Sequence, residues 1–150
     1  MSFDLLSKLS LTLALLAAAG QEVGAQARAR SLSTGGRVAE VRPRARGGEA
    51  VWVDGRPVWP APAGFGTPEI ASPLVWSKKS DAVAFLAREP GGFLFLVVSV
   101  VDGAGPPASM AWLMPASALP LHAVTWLGER RVAAGPVALQ PRVVASFAIK

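Results

Sequence analysis

One hundred and fifty residues, 51% of them hydrophobic, suffice for one domain with a modest core and are too apolar for a disordered chain. The chain has no cysteine, which removes disulfides, thiolate metal sites and cysteine nucleophiles together. Its net charge of +5 is concentrated near the start, so the body of the domain is close to neutral.

Residues 1–25 read as an export signal. Lys8 supplies a positive n-region, residues 9–19 (LSLTLALLAAA) form an apolar h-region, and the small residues Ala25 and Ala27 offer cleavage points. This eleven-residue run falls short of the roughly 20 needed to cross a bilayer, so no transmembrane span is expected. Residues 26–46 form a basic segment. Here Arg28, Arg30, Arg37, Arg42, Arg44 and Arg46 face one acid, Glu40. A basic arm of this kind suits an anionic envelope surface, but residues 38–41 read as a strand, which makes a solvated strand face the simpler account. Export also argues against nucleic acid as a partner. From residue 47 onward, eight basic residues meet seven acidic ones, and residues 47–150 are expected to form a single β-rich domain.

Residues 49–60, EAVWVDGRPVWP, hold the clearest local signal. Asp54-Gly55 between alternating apolar residues predicts a hairpin, because a type I′ turn needs positive φ at both central positions. Pro57 cannot donate to a ladder, so its strand belongs at an edge. Next come strands over 73–76, 83–87 and 93–101, separated by Lys78-Lys79-Ser80-Asp81 and by Arg88-Glu89-Pro90-Gly91-Gly92. Further strands are expected over 109–114, 121–126, 131–134 and 143–149, with breakers at 102–107 and 115–120. About ten short strands and no long amphipathic helix after residue 27 define an all-β class: a small antiparallel sandwich or barrel-like domain built of short hairpins, or a propeller.

Residues 76–85, Trp-Ser-Lys-Lys-Ser-Asp-Ala-Val-Ala-Phe, resemble the Trp-Ser-Pro-Asp-Gly-x-x-Ile-Ala-Phe signature of TolB-like β-propeller blades. Residues 92–103 look like the strand that follows, ending in Asp102-Gly103. Partial copies occur at 121–135, where Trp126 stands fifty positions after Trp76, and at 49–55. Lys78-Lys79-Ser80 replaces the turn residues of the signature. The resemblance implies a propeller-blade-like local pattern of stacked antiparallel sheets. A full ring takes about four to eight four-stranded blades, more than this chain supplies. Either several copies close a homo-oligomeric ring, or the strands form a compact sandwich; the second is preferred.

Chemistry is sparse. His122 lies in an apolar run and reads as structural. Ser77, Ser99, Ser117 and Asp102 could in principle complete a Ser-His-Asp set with it, but no Gly-x-Ser-x-Gly motif is present. Asp81, Glu89 and Asp102 are the carboxylates on which a carbohydrate-acting enzyme would depend, and each also suits a turn. The acids are spread singly, so no metal or cofactor is expected. Of the five tryptophans, Trp52 and Trp59 flank the hairpin turn beside Arg56, an arrangement suited to a protein or carbohydrate contact. The expected function is an exported, non-enzymatic binding or structural module of the bacterial envelope, periplasmic or extracellular, that meets a protein partner. The alternatives are an envelope hydrolase and a basic-arm tether.

Overall fold

A computed structural model describes residues 29–60, 66–102, 106–114, 123–135 and 143–147. The expected export signal at 1–25, Arg28, Ser117 and His122 lie outside the described residues. The fold is all-β: three antiparallel sheets, none closed into a barrel, with no helix among the described residues.

The first sheet is a meander of β1 (Arg30–Leu32), β2 (Val38–Pro43), β3 (Glu49–Val53) and β4 (Arg56–Trp59). The second has β5 (Glu69–Ile70), β7 (Ala82–Arg88), β8 (Leu94–Val100) and β9 (Ala108–Leu113) in that order, with β6 (Val75–Trp76) also paired to β7. The third is β10 (Ala123–Trp126), β11 (Arg131–Gly135) and β12 (Val143–Ser146). Every strand expected from sequence is present. Two were not foreseen: β1, within the basic segment, and the two-residue β5, too short to carry periodicity. The Arg-rich segment is thus not a separate arm, since β2 buries Ala39 and Val41 in the domain core.

The three sheets pack face to face, with the second in the middle. In β7 and β8 successive side chains point to opposite faces, as the pleat requires. Ala82, Ala84, Leu86, Leu96 and Val98 enter one core with Val124, Val132 and Ala134 of the third sheet. Val83, Phe85, Ala87 and Val97 enter another with Val41, Val51, Val53 and Trp59 of the first. A strand buried on both faces has no polar side, which is why these runs read as continuous rather than alternating. The alanines of β7 keep the layers close, and Phe85 fills the gap opposite Trp59, edge to face at 5.4 Å.

Two tryptophans repeat one job. Trp76, at the end of β6, donates its indole N–H to the Ser31 carbonyl of the first sheet at 3.0 Å. Trp126, at the end of β10, donates to the Val75 carbonyl of the second sheet, also at 3.0 Å. Each sheet is thereby pinned to the one before it, through the strand that precedes its first long turn. Leu32 holds the corresponding place in the first sheet and is 70% exposed.

Replacing Trp76 or Trp126 by Phe keeps most of the apolar contact and removes the donor. Each change should lower stability by about 0.5–1.5 kcal/mol, read as a shift in urea midpoint, whereas Leu32→Ala should leave the midpoint nearly unchanged.

Candidate functional site

The turns β1–β2, β3–β4, β6–β7 and β10–β11 converge at one end of the stack. The first and third are built alike. Ser33 Oγ accepts the Arg37 amide at 2.9 Å, and Ser77 Oγ accepts the amides of Asp81 and Ala82 at 3.2 and 3.1 Å. Both serines are buried, so each short side chain replaces water for the turn amides. The β3–β4 turn has Asp54 at φ 49° and Gly55 at φ 77°, the paired positive φ anticipated for Asp-Gly.

Two arginines tie these turns together. Arg37 Nε donates to Asp54 Oδ2 at 2.9 Å, and its Nη1 donates to the carbonyls of Ser80 and Val101 at 3.2 and 2.8 Å. Its guanidinium also sits 5.8 Å from the Trp76 ring centroid. Arg130 Nη2 donates to Asp81 Oδ2 at 3.0 Å, while Ser77 Oγ donates to Asp81 Oδ1 at 2.7 Å. Arg37 therefore links the first sheet to the second, and Arg130 links the third to the second. The exposed Lys79–Glu129 pair, at 3.0 Å, adds little, because solvent screens it.

The carboxylates respond to these partners. The hydrogen bond from the Val38 amide, helped by that from Arg37, holds Asp54 below its ordinary value. Burial pushes Asp81 up, but hydrogen bonds from Ser77 and Arg130 outweigh it, and the net shift is downward. Both groups are therefore ionised struts at neutral pH.

The Arg37–Asp54 pair forms one side of a cleft of about 150 Å³ that is also lined by Val53, Arg56, Val58, Val101 and Pro107. The Arg56 side chain is exposed and has no hydrogen bond or ion pair among the described residues. The sequence reading groups Trp52, Arg56 and Trp59 as a contact site, and the structure separates them. Trp52 is half-buried on the outer face of the first sheet, with the Arg42 guanidinium 4.5 Å above its ring centroid. Trp59 is 2% exposed and belongs to the core. The reason is a bulge between Val51 and Trp52: the register runs Trp52↔Pro57 and then Val51↔Trp59, so one residue is skipped. Without that slip Trp59 would share the face of Trp52. With it, Val58 and Trp59 are both buried.

The basic residues are dispersed. Arg30 and Arg42 share Glu40 at 3.7 and 2.6 Å on the outer sheet face. Arg37 is at one end of β2, and Arg44 and the exposed Arg46 are at the other. Arg44 donates to the Gly66 carbonyl at 3.0 Å. The serines considered for catalysis are also placed: Ser77 holds its turn, and Ser99, fully buried, bonds Ser109 Oγ at 2.8 Å. Ser109 in turn donates to the Val58 carbonyl at 3.0 Å. Among the described residues no three acids or histidines gather as a metal-binding group.

Sequence reasoning missed Arg37, Asp54, Asp81 and Arg130 as a linked set. A signal was available, since Leu32-Ser33 precedes Arg37 as Trp76-Ser77 precedes Asp81. The partners across sheets are far apart in sequence and have no such signature. Compared with protein families, curated proteins and solved structures, the chain matches none of them.

Because Asp54 and Asp81 have lowered folded values, their stabilisation is present above the unfolded aspartate value of 3.8 and is lost as pH falls from there through the folded values. Thermal melts should therefore show a midpoint that drops steeply below about pH 4. Asp81→Asn should flatten that drop and lower the midpoint at pH 7.

Proposed function

We propose that this protein is an exported, non-enzymatic binding and structural module of the bacterial envelope, acting through protein–protein contacts. In this reading its hairpins borrow the local pattern of TolB-like propeller blades within a compact layered domain. The observation that carries the reading is the turn end of the stack, where Arg37, Asp54, Asp81 and Arg130 are consumed in holding the sheets together. Arg56, by contrast, faces an open apolar-walled cleft there. A guanidinium with five donors and no partner among the described residues, set beside valine and proline walls, suits an acidic side chain presented next to an apolar one. Asp81, one of the three carboxylates considered for a carbohydrate-acting enzyme, has both oxygens occupied by Ser77 and Arg130. The paired tryptophan hydrogen bonds and the fifty-residue spacing of Trp76 and Trp126 support the blade-like reading. The apolar run at 9–19 supports export.

Two measurements test this. A photo-crosslinking amino acid placed at position 56 in the exporting cell should yield a discrete adduct, and the same probe at position 46, at the far end of β2, should not. Equal labelling at both, or none at either, contradicts the contact site. Protein recovered from outside the cytoplasm should have a mass that begins at residue 26 or 28; a mass that includes residues 1–25 contradicts export by a cleaved leader.

A further inference from the structure

The outer edge of the second sheet differs from the β4 edge of the first. Among the described residues β9 pairs with β8 alone, at the end of the strand order. The Met114 amide bonds the Leu94 carbonyl at 2.8 Å directly across the ladder. Antiparallel pairs alternate between bonded and non-bonded positions. It follows that Ala108, Met110 and Trp112 point their main-chain groups at β8, while Ser109, Ala111 and Leu113 point theirs outward. These three residues are exposed. The edge is also free of charge: between Asp102 and Glu129 the sequence has no Lys, Arg, Asp or Glu. Leu113 is 58% exposed, and Phe93, on the same face two residues before the Phe95 that Leu113 opposes, is also 58% exposed.

Native sheets blunt their edges with charges, prolines, bulges or short strands. The edge of the first sheet uses these devices, with Arg56, Pro57 and the bulge at Val51/Trp52 in or beside the four-residue β4. β9 is six residues long and contains no charge, no proline and no glycine. An uncharged, extended edge of that length is a template for another strand.

We infer that β9 pairs antiparallel with β9 of a second copy, so that the second sheet runs continuously through a two-fold dimer. The strand is its own best complement. An antiparallel two-fold through Ala111 places the Ala111 residues opposite each other and Ser109 of one copy opposite Leu113 of the other. The outward amides and carbonyls of both strands then satisfy one another, and no like charges meet along the seam. Exposed Leu113 of each copy lies in the new ladder, opposite Ser109 of the other copy. Isologous two-fold pairing is the commonest symmetry of soluble oligomers and needs only one self-complementary patch. This inference is independent of the contact site at Arg56, which lies on the turn end of the stack.

The test is light scattering on the full chain. The protein should run at twice the monomer mass, and Ala111→Lys, which sets two ammonium groups across the axis, should raise the dimer dissociation constant by about tenfold or more. Ala111 is exposed and belongs to neither core, so circular dichroism of the variant should match the parent. A second measurement does not depend on that variant. The native chain has no cysteine, so Ala111→Cys introduces a single thiol. Bonded antiparallel neighbours have Cα atoms about 5.5 Å apart, within the range that a disulfide spans, and mild oxidation should therefore give a covalent dimer under native conditions and not in urea. A monomer at every concentration, a dimer indifferent to Ala111→Lys, or no native crosslink in the Ala111→Cys variant overturns the inference.

Discussion

Burial of β7 and β8 on both faces is the constraint from which the rest of this structure follows. A two-stranded ribbon with apolar residues at even and odd positions alike cannot be left half-wet, so it must be covered twice. The first sheet covers the Val83, Phe85 and Val97 face, and the third covers the Ala84, Leu86 and Val98 face. Without disulfides, this double cover is what a chain of this length has for a core. The tryptophan bonds and the arginine struts then fix how the covers sit. Trp76 and Trp126 act from the ends of β6 and β10, and Arg37 and Arg130 act across the turns at one end.

That arrangement separates two kinds of charged residue. Those between sheets are fully engaged, and their carboxylates are held in the ionised form by donors that approach from a neighbouring strand or layer. Those beyond the stack, such as Arg56, have solvent in front of them. The same separation applies to the backbone. Ladder groups inside the three sheets are satisfied by neighbours, and the outward groups of β9 have no such neighbour among the described residues. Contact chemistry in this protein is therefore expected at its margins, at the turn end and along one sheet edge, while the layered interior is left to hold the shape.

Most of the fold was legible in the sequence. Strand positions followed from apolar runs broken by Gly, Pro and charged turns, and the Asp54-Gly55 hairpin followed from the φ that its turn requires. The continuous apolar character of residues 83–87 and 93–101 was visible too, and its meaning, a sheet covered twice, became clear only with the partners in place. The site was less legible. Which face Trp59 takes was not legible, because period-two reasoning has no way to see a bulge: one skipped residue beside Trp52 sets it on the core face. Arg37 was read with the basic segment and Arg130 was not singled out, because their partners, Val101 and Asp81, are distant in sequence. β1 was hidden in a run of arginines whose charges point out of a sheet that sequence alone could not place.

Native-state hydrogen exchange tests the central claim most directly. If the second sheet is the covered middle layer, amides of 82–88 and 94–100 must open only with global unfolding and be the slowest in the chain, with β1 and β12 faster. Exchange in β7 and β8 as fast as in those outer strands would mean that one of their faces is open to water, and the layered account would fail.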